Sequence, residues 1–128
     1  MTVRIVRLGT PREAQEGPRI GTVRRPPRGV PKALFAEQDW FDIWYPELAP
    51  AAATVKLASG GTTAGERAAF ARQYRREMKE PAAARTIALL ALLSRHSNFS
   101  VGCYCKDETH CHRSILRALL AEQGADVR

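Results

Sequence analysis

The sequence lacks the features that mark membrane, secreted and repeat proteins. No apolar run approaches the roughly 20 residues needed to cross a bilayer; the longest, 87–93, is predicted to be a buried helix. Residues 1–5 lack the apolar region of a secretory signal peptide, and no repeat, linker or low-complexity segment is present. There are only three cysteines, an odd number that does not suit a disulfide framework. We therefore expect a cytoplasmic protein with reduced thiols and no membrane partner.

Acidic residues are also scarce, with 13 Asp and Glu against 20 Lys and Arg and a net charge of +7. The surplus is uneven, because residues 1–32 hold eight basic and two acidic side chains, a local balance of +6. Such a segment is typical of proteins that bind nucleic acid, nucleotides or phosphate. A solvated face rich in arginine has the same composition. A nucleic-acid-binding module that uses this N-terminal quarter is therefore one hypothesis for the function.

What the sequence does contain is the pattern of an α/β domain. Strands are predicted where β-branched and apolar residues are bounded by polar residues or proline, at 3–8, 19–25 and 99–105. Helices are predicted at 51–57, from the Thr63-x-x-Glu66 capping box onward, at 82–95 and from 112 to a stop at Gly124. A break is predicted at Gly60 and Gly61. The length of 128 residues favours one domain, 1–128. We expect a small, mainly parallel sheet flanked by helices, with 99–105 parallel to an earlier strand.

Aromatic residues are concentrated in the segment 39–50, which holds both tryptophans. We expect Trp40 and Trp44 to fill the core, as large aromatic side chains commonly do. Asp39 precedes Trp40 and Asp42 lies between the two tryptophans, and a buried carboxylate needs a partner. We expect Arg24, Arg25 or Arg113 to supply that partner.

The stretch 100–114 holds all three cysteines and two of the three histidines. It reads as a strand, a polar loop and a helix, so the loop brings Cys111, His112 and Arg113 to a helix N-terminus. Free N–H groups there favour anions and tend to lower the pKa of a cysteine. Ligands of parallel sheets bind at the carboxyl ends of strands, where this loop lies. We expect the 103–114 loop and the arginine-rich 24–28 turn to form one site.

Three chemistries remain open for this site. In the first, Cys111 is an activated nucleophile or redox thiol, with His112 and Asp107 in proton transfer and Arg113 holding an anionic substrate group. Such an enzyme would hydrolyse or transfer a group on a phosphorylated or nucleotide-like substrate.

In the second chemistry, the site holds zinc or iron, although the spacing is not that of a standard structural zinc site. The predicted metal ligands are Cys103, Cys105, Cys111 and His110. In the third, the cysteines only pack, and a small anionic ligand is bound by arginines. These are Arg113, Arg24, Arg25 and Arg28.

The motif Cys103-x7-Cys111-His112-Arg113 followed by an apolar helix resembles the end motif of the domain-of-unknown-function 488 family (DUF488), in its small, single-domain YeaO-like branch. Further matches lie in the segments 19–29 and 48–50 and in the pair Phe70-x3-Tyr74. The resemblance implies a cytoplasmic prokaryotic α/β protein and carries no established reaction or cofactor. In many relatives the position of Cys105 looks acidic, which weakens a mechanism that requires Cys105 as a metal ligand or resolving thiol.

Overall fold

Four short parallel strands form the sheet of the computed structural model, which describes residues 1–59 and 63–128. The predicted break at Gly60 and Gly61 lies outside these residues. The strands are β1 (Val3–Arg7), β2 (Arg19–Gly21), β3 (Ile43–Trp44) and β4 (Phe99–Cys103), in the spatial order β1-β4-β2-β3. Val101 of β4 lies opposite Ile5 on one side and Ile20 on the other. The predicted α/β class and the parallel pairing of the last strand are confirmed.

In the described part of the chain, four α-helices cover the sheet: α1 (Ala52–Ser59), α2 (Ala64–Glu77), α3 (Pro81–Ser94) and α4 (His112–Glu122). The capping box is confirmed, because the Thr63 side chain accepts a hydrogen bond from the Glu66 N–H at 3.1 Å. The chain leaves α4 at Gly124, whose φ of +84° is a conformation that glycine adopts without strain. Local sequence signals therefore set the ends of these helices.

The core is built by β4 and by one face of each of the helices α2, α3 and α4. All five residues of β4 are buried, as expected for the central strand of a parallel sheet. Phe70 and Tyr74 of α2 and Met78 at its C-cap, spaced one turn apart, are buried as their spacing predicts. The Tyr74 hydroxyl donates a hydrogen bond of 2.7 Å to the carbonyl oxygen of Leu48, which ties α2 to the segment before α1.

Helix α3 is buried on one side only, so the predicted burial holds for one face of the helix. Ile87 and Leu90 face the core, but Leu89 is 54% exposed and Leu92 is 48% exposed. The 3.6-residue period turns these two leucines away from the sheet. Within the described residues, no helix combines the length and the apolar character needed to cross a bilayer.

The aromatic segment departs most from the sequence-based prediction. Trp44 is 41% exposed, because β3 is a two-residue edge strand, and Trp40 is half-buried. The predicted arginine partners of the acids are also wrong. Asp42 pairs with Arg12 at 2.7 Å and accepts a hydrogen bond of the same length from the Arg19 backbone N–H.

Candidate functional site

The site forms where β4 ends and α4 begins. Cys103 is the last residue of β4, and Cys111 is the N-cap of α4, reached through a polar loop with a short 3-10 turn at Glu108–His110. Because this loop turns the chain back toward the end of β4, the two buried sulfur atoms lie 2.7 Å apart. The predicted strand–loop–helix unit therefore places two cysteines, eight residues apart, in direct contact.

His112, the first residue of α4, is buried and held in one orientation by Thr22, just after β2. The His112 Nε2 atom lies 2.8 Å from the Thr22 carbonyl oxygen and 3.1 Å from the Thr22 hydroxyl. A carbonyl oxygen can only accept, so we assign the imidazole proton to Nε2. The Nδ1 atom then presents its lone pair to the Cys111 sulfur, 3.6 Å away. Burial lowers the pKa of His112 to about 4, so the ring is neutral at physiological pH.

The third thiol, Cys105, is exposed and lines the same cavity as the two buried thiols. Bonds from Cys103 and Cys111, with the nearby Arg113 charge, lower the pKa of Cys105 well below its usual range. The same contact with Cys105 raises the pKa of Cys103. At Cys111 the bond from Cys103 lowers the pKa, but the bond to Cys105 and burial outweigh it and leave the pKa raised. The predicted low pKa of Cys111 is therefore wrong, because the cluster stabilises a thiolate at its most exposed member.

A cavity of about 730 Å³ opens above these side chains, at the carboxyl ends of the strands. Its base includes Cys103, Cys111 and His112, and Cys105 also lines it. Its rim carries four arginines: Arg7, Arg24, Arg25 and Arg28. The structure thus brings the 24–28 turn and the cysteine-rich segment to one cavity.

One wall of the cavity is aromatic. The rings of Trp40 and Tyr104 meet edge to face with centroids 5.8 Å apart, and the Tyr104 hydroxyl donates to the Arg25 carbonyl oxygen at 2.9 Å. The Trp40 ring also lies against Gly9, where a Cβ atom would come within 2.7 Å of it. Asp39, the residue before Trp40, has a φ of +63°, which is uncommon for a residue other than glycine. Close packing and a strained backbone therefore fix this wall.

Sequence reasoning missed Thr22, Arg7 and Tyr104 as parts of the site. Arg7 ends β1 and Thr22 follows β2, and both strands pair with β4. The rule that sites form at the carboxyl ends of parallel strands would have selected these two positions. Tyr104 follows Cys103 directly and turns its ring to the cavity wall.

Among the predicted anion-binding residues, only Arg25 and Arg28 combine a place on the cavity with a guanidinium group that no backbone carbonyl of the described residues holds. Arg113 is 3% exposed, is not part of the cavity lining, and donates a hydrogen bond of 2.5 Å to the Cys105 carbonyl oxygen. Arg24 lines the cavity, but its guanidinium donates to three carbonyl oxygens, those of Pro46, Ala49 and Pro50. Both arginines therefore hold the backbone around the site.

Asp107 and His110 lie on the loop between Cys105 and Cys111, and their side chains are more than half exposed. The Asp107 carboxylate accepts hydrogen bonds from the Thr109 side chain at 2.6 Å and from its N–H at 2.9 Å, which lower the pKa of Asp107. His110 Nδ1 lies 3.4 Å from this carboxylate, and His110 lines the cavity whereas Asp107 does not. Asp107 thus caps the 3-10 turn.

Ion pairs occupy much of the basic N-terminal quarter. Arg4 pairs with Glu13 at 2.7 Å, Arg19 pairs with Glu16, and Arg12 pairs with the two aspartates near Trp40. The surplus of charge in residues 1–32 is therefore not a continuous free cationic surface. The arginines that remain lie mostly around the cavity.

Cys103, Cys111 and His112 could hold a metal ion. Each offers one ligand atom, and the three atoms lie within 4.8 Å of one another. Thiolate and imidazole ligands suit zinc, and the contact between His112 Nε2 and a backbone carbonyl is typical of a metal-bound histidine. Of the ligands predicted from the sequence, this group contains Cys103 and Cys111, with His112 instead of the exposed His110.

Fold and site together define a parallel α/β protein with a thiol and imidazole cluster below an arginine-rimmed cavity. The family profile DUF488-N3a, described as the active DUF488-N3 subclade, matches residues 3–124. The chain therefore belongs to the DUF488 family, as its Cys-His-Arg motif predicts. No curated protein and no solved structure matches the chain.

Proposed function

We propose that this protein is an enzyme in which Cys111 is the nucleophile and His112 is its general base. The substrate is small and anionic, phosphorylated or nucleotide-like, and the reaction is hydrolysis or group transfer. The observation that carries the proposal is the orientation of His112: Thr22 fixes Nε2, and Nδ1 faces the Cys111 sulfur at 3.6 Å. A nucleophile, a base and a group that orients the base are the parts of an activated thiol site.

In the proposed reaction, the Cys111 thiol gives its proton to Nδ1 of His112 and attacks the substrate. The leaving group then takes that proton from the imidazolium. Without substrate, the raised pKa of Cys111 and the lowered pKa of His112 both oppose this transfer, although the neutral ring presents its Nδ1 lone pair to the thiol. An anionic substrate beside the ring would favour the imidazolium.

The proposed substrate class follows from the cavity. Arg25 and Arg28 supply guanidinium groups, which bind phosphate through paired hydrogen bonds, and Arg7 lies on the same rim. Trp40 and Tyr104 supply an aromatic wall suited to a planar ring. A volume of about 730 Å³ suits a ligand of nucleotide size.

The test is a turnover screen with nucleotides and sugar phosphates, followed by variants. Cys111→Ser is expected to abolish turnover while leaving the thermal midpoint nearly unchanged, since serine is a good N-cap. Arg25→Gln and Arg28→Gln are expected to raise KM, whereas Arg72→Gln, at an exposed position of α2, is the matched control. A Cys111→Ser protein that keeps full turnover would contradict the proposal.

A metal centre is the second candidate, favoured by the three buried ligand atoms within 4.8 Å. Three protein ligands would leave a coordination position open toward the cavity, as catalytic zinc sites do. The metal content of untagged protein purified under reducing conditions, with a count of free thiols, separates the two candidates. One equivalent of zinc or iron with blocked thiols supports the metal centre. No metal and reactive thiols support the nucleophile.

A further inference from the structure

Cys105 differs from the other two cysteines, which are buried, in being exposed. It lines the cavity beside Cys103 and Cys111, so a small solute can reach its sulfur. An accessible cysteine next to a second thiol that can capture it is the arrangement of redox-reactive sites. We propose that Cys105 is a modification site, oxidised by a hydroperoxide and then captured by Cys111 as a disulfide.

Cys111 is the better capturing thiol on geometric grounds. A bond from Cys105 to Cys103 would have to close across Tyr104 alone, and the hydroxyl of that residue is tied to the Arg25 carbonyl oxygen. A bond to Cys111 closes across the five residues 106–110, so it does not have to join two nearly adjacent residues. Arg113 donates to the Cys105 carbonyl oxygen and so fixes the backbone beside the accessible sulfur.

The chemistry balances with the hydroperoxide as oxidant. The Cys105 thiolate attacks the terminal oxygen of the hydroperoxide, the O–O bond breaks, and the departing alkoxide or hydroxide takes a proton. Cys105 is now a sulfenic acid. The Cys111 sulfur attacks the Cys105 sulfur, the S–O bond breaks, and hydroxide leaves with the Cys111 proton as water. The two thiols have supplied the two electrons, and an external dithiol restores them by exchange.

The oxidation needs only these thiols and a hydroperoxide, so it stands whether or not Cys111 acts on another substrate. If Cys111 is the proposed nucleophile, the disulfide would also switch that activity off. A redox assay without any phosphorylated substrate therefore tests the inference separately from the proposed function.

The experiment treats the reduced, desalted full-length protein with hydrogen peroxide and then counts thiols and maps linkages by mass spectrometry. Free thiols are expected to fall from three to one, with Cys105 linked to Cys111. Cys105→Ser is expected to slow the loss of thiols by about tenfold or more. Cys111→Ser should instead accumulate a sulfenic acid at Cys105 that dimedone traps, and Cys103→Ser should keep the wild-type linkage.

Three results would overturn the inference. The first is a Cys105→Ser protein that reacts at the wild-type rate. The second is a linkage of Cys103 to either other cysteine in place of the expected one. The third is three intact thiols after treatment with peroxide.

Discussion

The buried ion pair between Glu16 and Arg19 offers a sharp test of how this fold supports its site. The two side chains are 2% and 1% exposed. Arg19 Nε donates to one Glu16 oxygen at 2.5 Å, and the Ser100 hydroxyl donates to the same oxygen at 2.9 Å. Arg19 also donates to the Asp39 carbonyl oxygen at 2.7 Å, next to the Trp40 wall of the cavity. We predict that Glu16→Gln destabilises the fold.

The magnitude follows from burial. Removing one partner of a buried ion pair costs about 3–5 kcal/mol, because the remaining charge is left without compensation. Glutamine keeps one acceptor oxygen for Arg19, so we expect about 3 kcal/mol, the lower end of that range. Glu13→Gln is the matched control, since Glu13 also pairs with an arginine but its side chain is 75% exposed. An exposed pair contributes about 0–1 kcal/mol.

The effect should also depend on pH. Burial alone would raise the pKa of Glu16, but hydrogen bonds from Arg19 and Ser100 outweigh it and hold the pKa below 4.5. A carboxyl whose pKa is lower in the folded state stabilises the fold fully above its unfolded pKa. That contribution is lost as the pH falls through the folded value. The difference between wild type and Glu16→Gln should therefore shrink below about pH 4.5.

Urea unfolding followed by far-UV circular dichroism measures these free energies. At pH 7 the loss in Glu16→Gln should exceed that in Glu13→Gln by about 2 kcal/mol or more. Losses within about 0.5 kcal/mol of each other would refute the assignment of a buried, stabilising pair. So would a difference between wild type and Glu16→Gln that stays constant down to pH 3.

Three other substitutions test particular contacts. His112→Gln keeps a donor for the backbone carbonyl but loses the base at Nδ1, so alkylation of Cys111, followed by peptide mass spectrometry, should slow roughly tenfold or more. An unchanged rate would contradict the pairing. Tyr74→Phe removes a buried donor and leaves a carbonyl unpaired, so urea unfolding should show a loss of about 1–3 kcal/mol. Gly102→Ala places a Cβ atom 2.7 Å from the Val6 carbonyl oxygen, so unfolding should show a loss of about 1–3 kcal/mol. A wild-type stability in either variant would refute the contact in question.

The sequence determined the features that depend on neighbours along the chain. The capping box at Thr63, the α2 stripe and the glycine after α4 are local signals, and the structure has each of them. The strand–loop–helix unit around the three cysteines was predictable for the same reason. The parallel pairing followed from a general rule for strands joined by helices. Family membership was visible in the Cys-His-Arg motif and the matches that precede it.

Only the tertiary structure decided which side chains meet across the chain. Thr22 and His112 lie 90 positions apart, and their contact leaves Nδ1 of His112, not the exposed His110, facing Cys111. Arg113 turned inward to a backbone carbonyl instead of outward to the cavity. Thiol pKa values depend on such contacts, so the cysteine with the lowered pKa is Cys105 and not the predicted Cys111. Spacing along a chain fixes which face a residue occupies, but burial and hydrogen bonding depend on what packs against that face.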